Sequence, residues 1–254
     1  MKIGVFDSGM GGLSVLNGLV NLFSDNVYIY VADNKYSPYG TKTDEELINR
    51  GLAIIKYFES VNTELIIIAC NTMSVYLDIL QKHTNIKVLG VIKPTVHYVS
   101  SLGVNEVGLI ATYNTVRNKT YQNMLLDLGI KTDALNCSFL VEIVEGKSNE
   151  SASLLLKENS KNNHFESLTH LILGCTHFNL LKEEIKEVLP NINLVDTTDG
   201  IINELIKMGL TKKEQVNVNP IKIYSTLDVE NLQSLIKKYN LFINNKYEVN
   251  ILDI

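Results

Sequence analysis

Short apolar runs alternate with longer amphipathic stretches along most of this chain. Lys2–Phe6, Val27–Ala32, Leu65–Ala69, Lys87–Val91, Val107–Ala111 and Leu171–Leu173 are rich in Ile, Val and Leu, and turn or capping residues follow most of them. Such runs read as buried strands. Between them, Leu13–Phe23, Asp44–Ser60, Val75–His83, Thr115–Leu128, Asn179–Leu189 and Gly200–Met208 read as helices. Thr43-Asp44-Glu45-Glu46 offers the second of these a capping-box start. The alternation predicts an α/β protein with largely parallel sheets and leaves the strand order open.

A coarse echo runs through this pattern. Ala69-Cys70-Asn71-Thr72 ends one apolar run, and Gly174-Cys175-Thr176-His177 ends another about one domain's length further on. Both place a cysteine at a strand end, with a threonine beside the next helix. Two related α/β halves facing each other would bring both cysteines to one interface. Clefts at the carboxyl ends of strands are where open α/β sheets bind ligands. Turns of this kind recur in α/β proteins, so the echo alone does not establish a duplication.

Composition narrows the class. A chain of 254 residues, 45% hydrophobic and 20% charged, suits one large or two small globular domains. The formal net charge is −5 and the basic residues form no long stripe, which argues against a nucleic-acid partner. The opening apolar run is broken by Asp7 and makes a poor signal peptide. The most apolar stretch, Leu65–Cys70, is too short to span a bilayer. A soluble, cytoplasmic protein without a membrane partner is expected. The cysteines, Cys70, Cys137 and Cys175, are odd in number and fit free thiols in a reducing compartment.

A strand-end cysteine before a helix meets free backbone N–H groups and positive partial charge, which favour thiolate. A free thiol titrates near about 8.5, so modest stabilisation suffices at neutral pH. Cys137, between Asn136 and Ser138, lacks the motif and is read as a small buried hydrophobe. Cys70 and Cys175, with matched polar neighbours, are the candidates for chemistry. No CxxC or HxxxH pair completes a zinc site. Phe6-Asp7-Ser8-Gly9-Met10-Gly11-Gly12 does not read as a phosphate loop: Ser14 stands where a dinucleotide fingerprint needs glycine, the loop begins with an acid, and no GKS or GKT follows. Asp7 either meets a positive group, such as a substrate ammonium, or an acid–base residue, or it caps the next helix with Ser8. Pro38-Tyr39-Gly40 is either an ordinary turn or a rigid loop offering N–H groups to a carboxylate. His177 either has a structural role or tunes Cys175. Glu145 and Glu142 are not told apart by sequence.

The segments Phe6–Gly12, Pro38–Gly40, Ala69–Thr72 and Leu173–His177, in this order and spacing, resemble the glutamate racemases of the cofactor-independent aspartate/glutamate racemase superfamily. Val91–Pro94 and Gly108–Thr112 are also similar, and the resemblance spans about the first four-fifths of the chain. It implies two facing, pseudo-symmetric α/β domains, residues 1–92 with 210–254 and residues 93–209, and an active site in the cleft between them. It implies interconversion of L- and D-glutamate without pyridoxal phosphate or metal, supply of D-glutamate for peptidoglycan, and a homodimer. By matching, Cys70 and Cys175 are the acid–base residues, Asp7 and His177 assist them, and Glu145 is the supporting acid. Ser8, Tyr39, Gly40, Asn71, Thr72 and Thr176 line the substrate site together with Asp7 and His177. The chain departs from the family pattern at Glu142, where a proline is common, at Asn179, which replaces another proline, and at Leu227-Asp228, which replaces Gly-Asp. Two rivals remain: an aspartate or other two-cysteine racemase, and a non-catalytic amino-acid binding protein.

Overall fold

The computed structural model describes residues 1–213, 216–217 and 219–254. Among these residues ten strands form two sheets: β1 (Lys2–Asp7), β2 (Val27–Ala32), β3 (Leu65–Ile68), β4 (Lys87–Gly90), β5 (Glu106–Ala111), β6 (Lys131–Asn136), β7 (His170–Gly174), β8 (Asn193–Asp196), β9 (Ile221–Ser225) and β10 (Tyr247–Ile251). The first sheet has the order β10-β9-β2-β1-β3-β4 and the second β6-β5-β7-β8. Every pairing in both sheets is parallel. The chain thus leaves the first sheet after Gly90, builds the second, and returns at Ile221.

The α/β architecture read from the sequence is the one observed, and the echo is real at the level of topology. Within the first sheet, β2-β1-β3-β4 repeats the order of β6-β5-β7-β8. In each set the chain starts in the middle, steps to one side, and then crosses to the other. The crevice opens where the order reverses, at the carboxyl ends of the first and third strands. Asp7 ends β1 and Cys70 follows β3; Thr112 follows β5 and Cys175 follows β7. The two cysteines therefore occupy equivalent switch points.

Burial explains why the central strands were legible. Leu65–Ile68 is buried at all four positions, and β1 and β2 are buried at all but their first residue. The helix Asp44–Ser60 begins with the expected capping box, in which Thr43 Oγ1 accepts from Glu46 N at 3.2 Å and Glu46 accepts from Thr43 N at 2.8 Å. It lies so close to the sheet that a Cβ on Gly4 would sit 2.6 Å from the Phe58 ring.

Several elements differ from expectation. Strand β6, KTDALN, lies at a sheet edge and has no fully buried residue, so it lacks an apolar run. The short β8 and the returning β9 and β10 were likewise not anticipated; β10, also at an edge, is half exposed. The expected helix Thr115–Leu128 is two helices, Tyr113–Arg117 and Thr120–Asp127, parted at Lys119 with φ 53°. The expected helix Val75–His83 is shorter, Leu77–Gln81, and a separate turn of helix, Asn71–Ser74, precedes it. Helices over Ile92–Ser101, Phe139–Val144, Ala152–Asn159 and Val229–Lys238 were not anticipated either. No helix among the described residues is long and apolar enough to cross a membrane.

Candidate active site

A cavity of about 460 Å³ lies between the carboxyl ends of the two sheets. Ser8, Tyr39, Gly40, Cys70, Asn71 and Thr72 line it from the first half, and Glu145, Cys175, Thr176 and His177 from the second. Every residue expected at the site reaches this wall except Asp7. That carboxylate is fully buried, and it accepts from Gly12 N at 2.9 Å and from Thr176 Oγ1 at 3.3 Å. Its charge acts on the neighbouring Cys70 thiol. The structure thus brings Asp7 to the cysteine and not to the cavity surface. Cys137 is fully buried and free, in keeping with its reading as a small hydrophobe.

The two thiols have opposite surroundings. Burial, followed by the Asp7 charge, pushes Cys70 well above the usual thiol range, although the Met73 and Ser8 N–H groups work against this. Burial likewise raises Asp7, against the pull of the His177 charge and the Gly12 N–H. Cys175 has a base beside it instead: its sulfur lies 3.7 Å from His177 Nδ1. His177 Nε2 lies 3.2 Å from Glu145 Oε1, and Lys147 pairs with the other Glu145 oxygen. Burial would lower the His177 pKa, but hydrogen bonds to Cys175 and Glu145 and the charges of Cys175 and Asp7 outweigh it and hold the imidazole well above its usual value. Burial also opposes ionisation of Glu145, yet His177 and Lys147 bring its carboxyl down to about 2.

The signs set a stability window. A depressed acid contributes above its unfolded value of about 4.3, and a raised histidine below about 6.5. The His177–Glu145 pair therefore supports the fold in full between these values. Its contribution fades as pH falls toward about 2 or rises through the raised folded value of His177.

Gly11 allows the two loops to meet. A Cβ there would lie 2.5 Å from His177 Nδ1 and 2.8 Å from His177 N, and would also strike Thr176 Oγ1. The glycines that fail as a phosphate loop serve this close approach. Gly11→Ala is expected to destabilise the protein by about 1–3 kcal/mol through overpacking, and to lower turnover by displacing His177. Thermal unfolding and steady-state kinetics check this; wild-type values in both would show that the loops part freely.

Thr112, Tyr113, Asn136, Ser138 and Lys147 also line the cavity and were not singled out; Glu142, which the sequence left level with Glu145, lines it too. A signal existed for Thr112, which follows β5 as Cys175 follows β7. Asn136 and Ser138 follow the unanticipated β6, and Lys147 opens the most polar stretch of the chain. Among the described residues, no cluster of three or more His, Cys, Asp or Glu is arranged to hold a metal ion.

The chain belongs to the Asp/Glu/Hydantoin racemase family, whose profile matches residues 3–205. It is an amino-acid racemase, an isomerase. Glutamate racemases are among its relatives within the family. That of Hydrogenobaculum sp. is 37% identical over 218 residues, covering 82% of this chain and 83% of the relative. The crystal structure of glutamate racemase from Campylobacter jejuni superposes with a TM-score of 0.84 at 32% identity, covering 95% of this chain and 99% of that one. Glutamate racemase from Francisella tularensis, solved in complex with D-glutamate, superposes with a TM-score of 0.83 at 28% identity, covering 100% of this chain and 97% of the other.

Proposed function

We propose that the protein interconverts L- and D-glutamate by moving the Cα proton between Cys70 and Cys175. The observation that carries this reading is the pair of thiols at equivalent switch points of two sheets, on one cavity, each with its own titratable partner. The names of the relatives, and the D-glutamate complex of one of them, support glutamate over aspartate.

Racemisation removes a very weakly acidic proton from one face of Cα and returns one to the other. A single base tends to restore the hand it started from, whereas two groups on opposite faces invert it. For one enantiomer, Cys175 is the thiolate, paired with the His177 imidazolium, and Cys70 is the thiol that donates. For the other, Cys70 gives its proton to Asp7, a carboxyl made more basic by burial, and Cys175 donates. Fixed dipoles of the cavity wall stabilise the carbanion-like intermediate. Asn71, Thr72, Thr176 and the Tyr39–Thr41 backbone supply donors for carboxylate oxygens. Asp7 acts through Cys70. The two sheets support a division into residues 1–92 with 210–254 and residues 93–209. The same reading extends to supply of D-glutamate for peptidoglycan in a cytoplasmic homodimer.

Glu145→Gln removes the anion that holds His177 protonated. The alkaline limb of kcat/KM is expected to move to lower pH by about one unit, equivalent to about 1.4 kcal/mol, with the acid limb retained. An unmoved alkaline limb would separate His177 from the chemistry.

Circular dichroism of each glutamate enantiomer with purified protein, with aspartate in parallel, tests the reading. Decay of both glutamate signals toward zero supports it. Decay with aspartate alone would keep the mechanism and change the substrate. Binding without decay would favour a non-catalytic role.

A further inference from the structure

We propose that Tyr121 is a positioning residue of the substrate site: its phenol, supplied by the second half of the molecule, orients the Asn71 side-chain amide so that Nδ2 is the donor left for a substrate carboxylate. This deepens the racemase reading and rests on it.

Asn71 follows Cys70 directly and begins the helix Asn71–Ser74. It lines the cavity, yet it is 97% buried. Its Oδ1 accepts from Tyr121 Oη at 2.7 Å, while its Nδ2 has no partner among the described residues. Buried donors without partners are uncommon in folded proteins, and each calls for a reason. Here the amide is half satisfied. The oxygen is held by the protein, and the nitrogen remains on a residue of the cavity wall.

The chemistry of the substrate makes this orientation matter. An ionised carboxylate only accepts hydrogen bonds. An amide presenting Nδ2 binds it; a reversed amide presents oxygen and repels it. The side chain of asparagine is planar, so fixing Oδ1 fixes Nδ2.

Tyr121 is suited to hold the amide in this way. It is fully buried on the helix Thr120–Asp127 and does not line the cavity. Burial pushes its pKa far above the usual range, so the phenol keeps its proton and donates. Because Asn71 belongs to the first half and Tyr121 to the second, the bond forms only when the two halves are together. The carboxylate donor is thereby completed by assembly of the cavity itself.

Tyr121→Phe removes the hydroxyl and little else. It is expected to raise KM for glutamate about tenfold, the scale of one hydrogen bond to a charged group, with kcat within about threefold and the pH profile unchanged. Asn71→Ala is expected to raise KM at least as much. In the Asn71→Ala background Tyr121→Phe should then add less than about twofold, since its effect passes through that amide. An unchanged KM in Tyr121→Phe, a loss of kcat at constant KM, or independent effects in the double variant would overturn the proposal. Wild-type turnover in the same series separates the two readings. Its absence overturns the racemase reading and this proposal together, whereas normal wild-type turnover with an unmoved Tyr121→Phe overturns this proposal alone.

Discussion

Cys70→Ala and Cys175→Ala are each expected to lower racemisation of glutamate by about 10³-fold or more, the scale of losing a positioned acid or base. Each variant keeps one thiol on one face of Cα. The fold should tolerate both changes, because alanine is smaller than the buried side chain it replaces. The residual chemistry is more telling than the loss. In D2O each variant should exchange the Cα proton of one glutamate enantiomer without inverting it, and the two variants should act on opposite enantiomers. NMR of the Cα signal, combined with chiral separation, reads both quantities. Exchange of the same enantiomer by both variants, or near-normal racemisation by either, would remove the two-thiol scheme. Serine at either position should also be severe, since an alkoxide is far harder to form than a thiolate.

The largest effect on stability is expected at Arg50→Met. Arg50 Nε and Nη2 grip the two Asp33 oxygens at 2.7 and 2.6 Å, and Nη1 donates to the Ile254 carbonyl at 2.7 Å. Asp33 is fully buried and Arg50 is 5% exposed. Removing one partner of such a pair leaves an uncompensated charge and costs about 3–5 kcal/mol. At about 2–4 °C per kcal/mol for a chain near this size, Tm should fall by about 10 °C. Arg50→Lys should rescue little, because the ammonium lacks the fork that fits both oxygens. By contrast, Lys35→Ala, which breaks an exposed pair with Asp253, should change stability by less than about 1 kcal/mol. Function should follow the same path. Asp33 also accepts from the Tyr39 hydroxyl at 2.6 Å, and Tyr39 and Gly40 form part of the cavity wall. Loosening Asp33 should therefore raise KM even in variant protein that remains folded. Calorimetry with kinetics below the unfolding range checks both parts; an unchanged Tm would contradict the buried-pair argument.

These residues also mark where sequence reading stopped. Strands buried on both faces announce themselves as continuous apolar runs, so β1 to β5 and β7 were visible, as was the place where each ends. The cysteines stood out because both follow such runs. Edge strands do not carry that signal: β6 has no fully buried residue and β10 only half-buried or exposed ones. Helix breaks were hidden as well. Lys119 adopts a positive φ that its residue type does not advertise, and it divides one periodic stretch into two helices. At the site, Glu145 could not be separated from Glu142 until the chain end of the helix Phe139–Val144 was placed against His177. The Asp33–Arg50–Tyr39 network and the Tyr121–Asn71 bond join residues far apart in sequence. No local pattern foretells such a contact; only the packing of the sheets and helices brings it about.

The central claim is that the proton leaves one face to one thiol and arrives from another thiol on the opposite face. It is tested most directly by offering wild-type protein L-glutamate in D2O and analysing both enantiomers at low conversion. The account predicts that nearly every molecule of D-glutamate formed carries deuterium at Cα, while the L-glutamate recovered still carries protium. D-glutamate that retains the original protium would mean that a single group carried the same proton across both faces, and would contradict the assignment of Cys70 and Cys175.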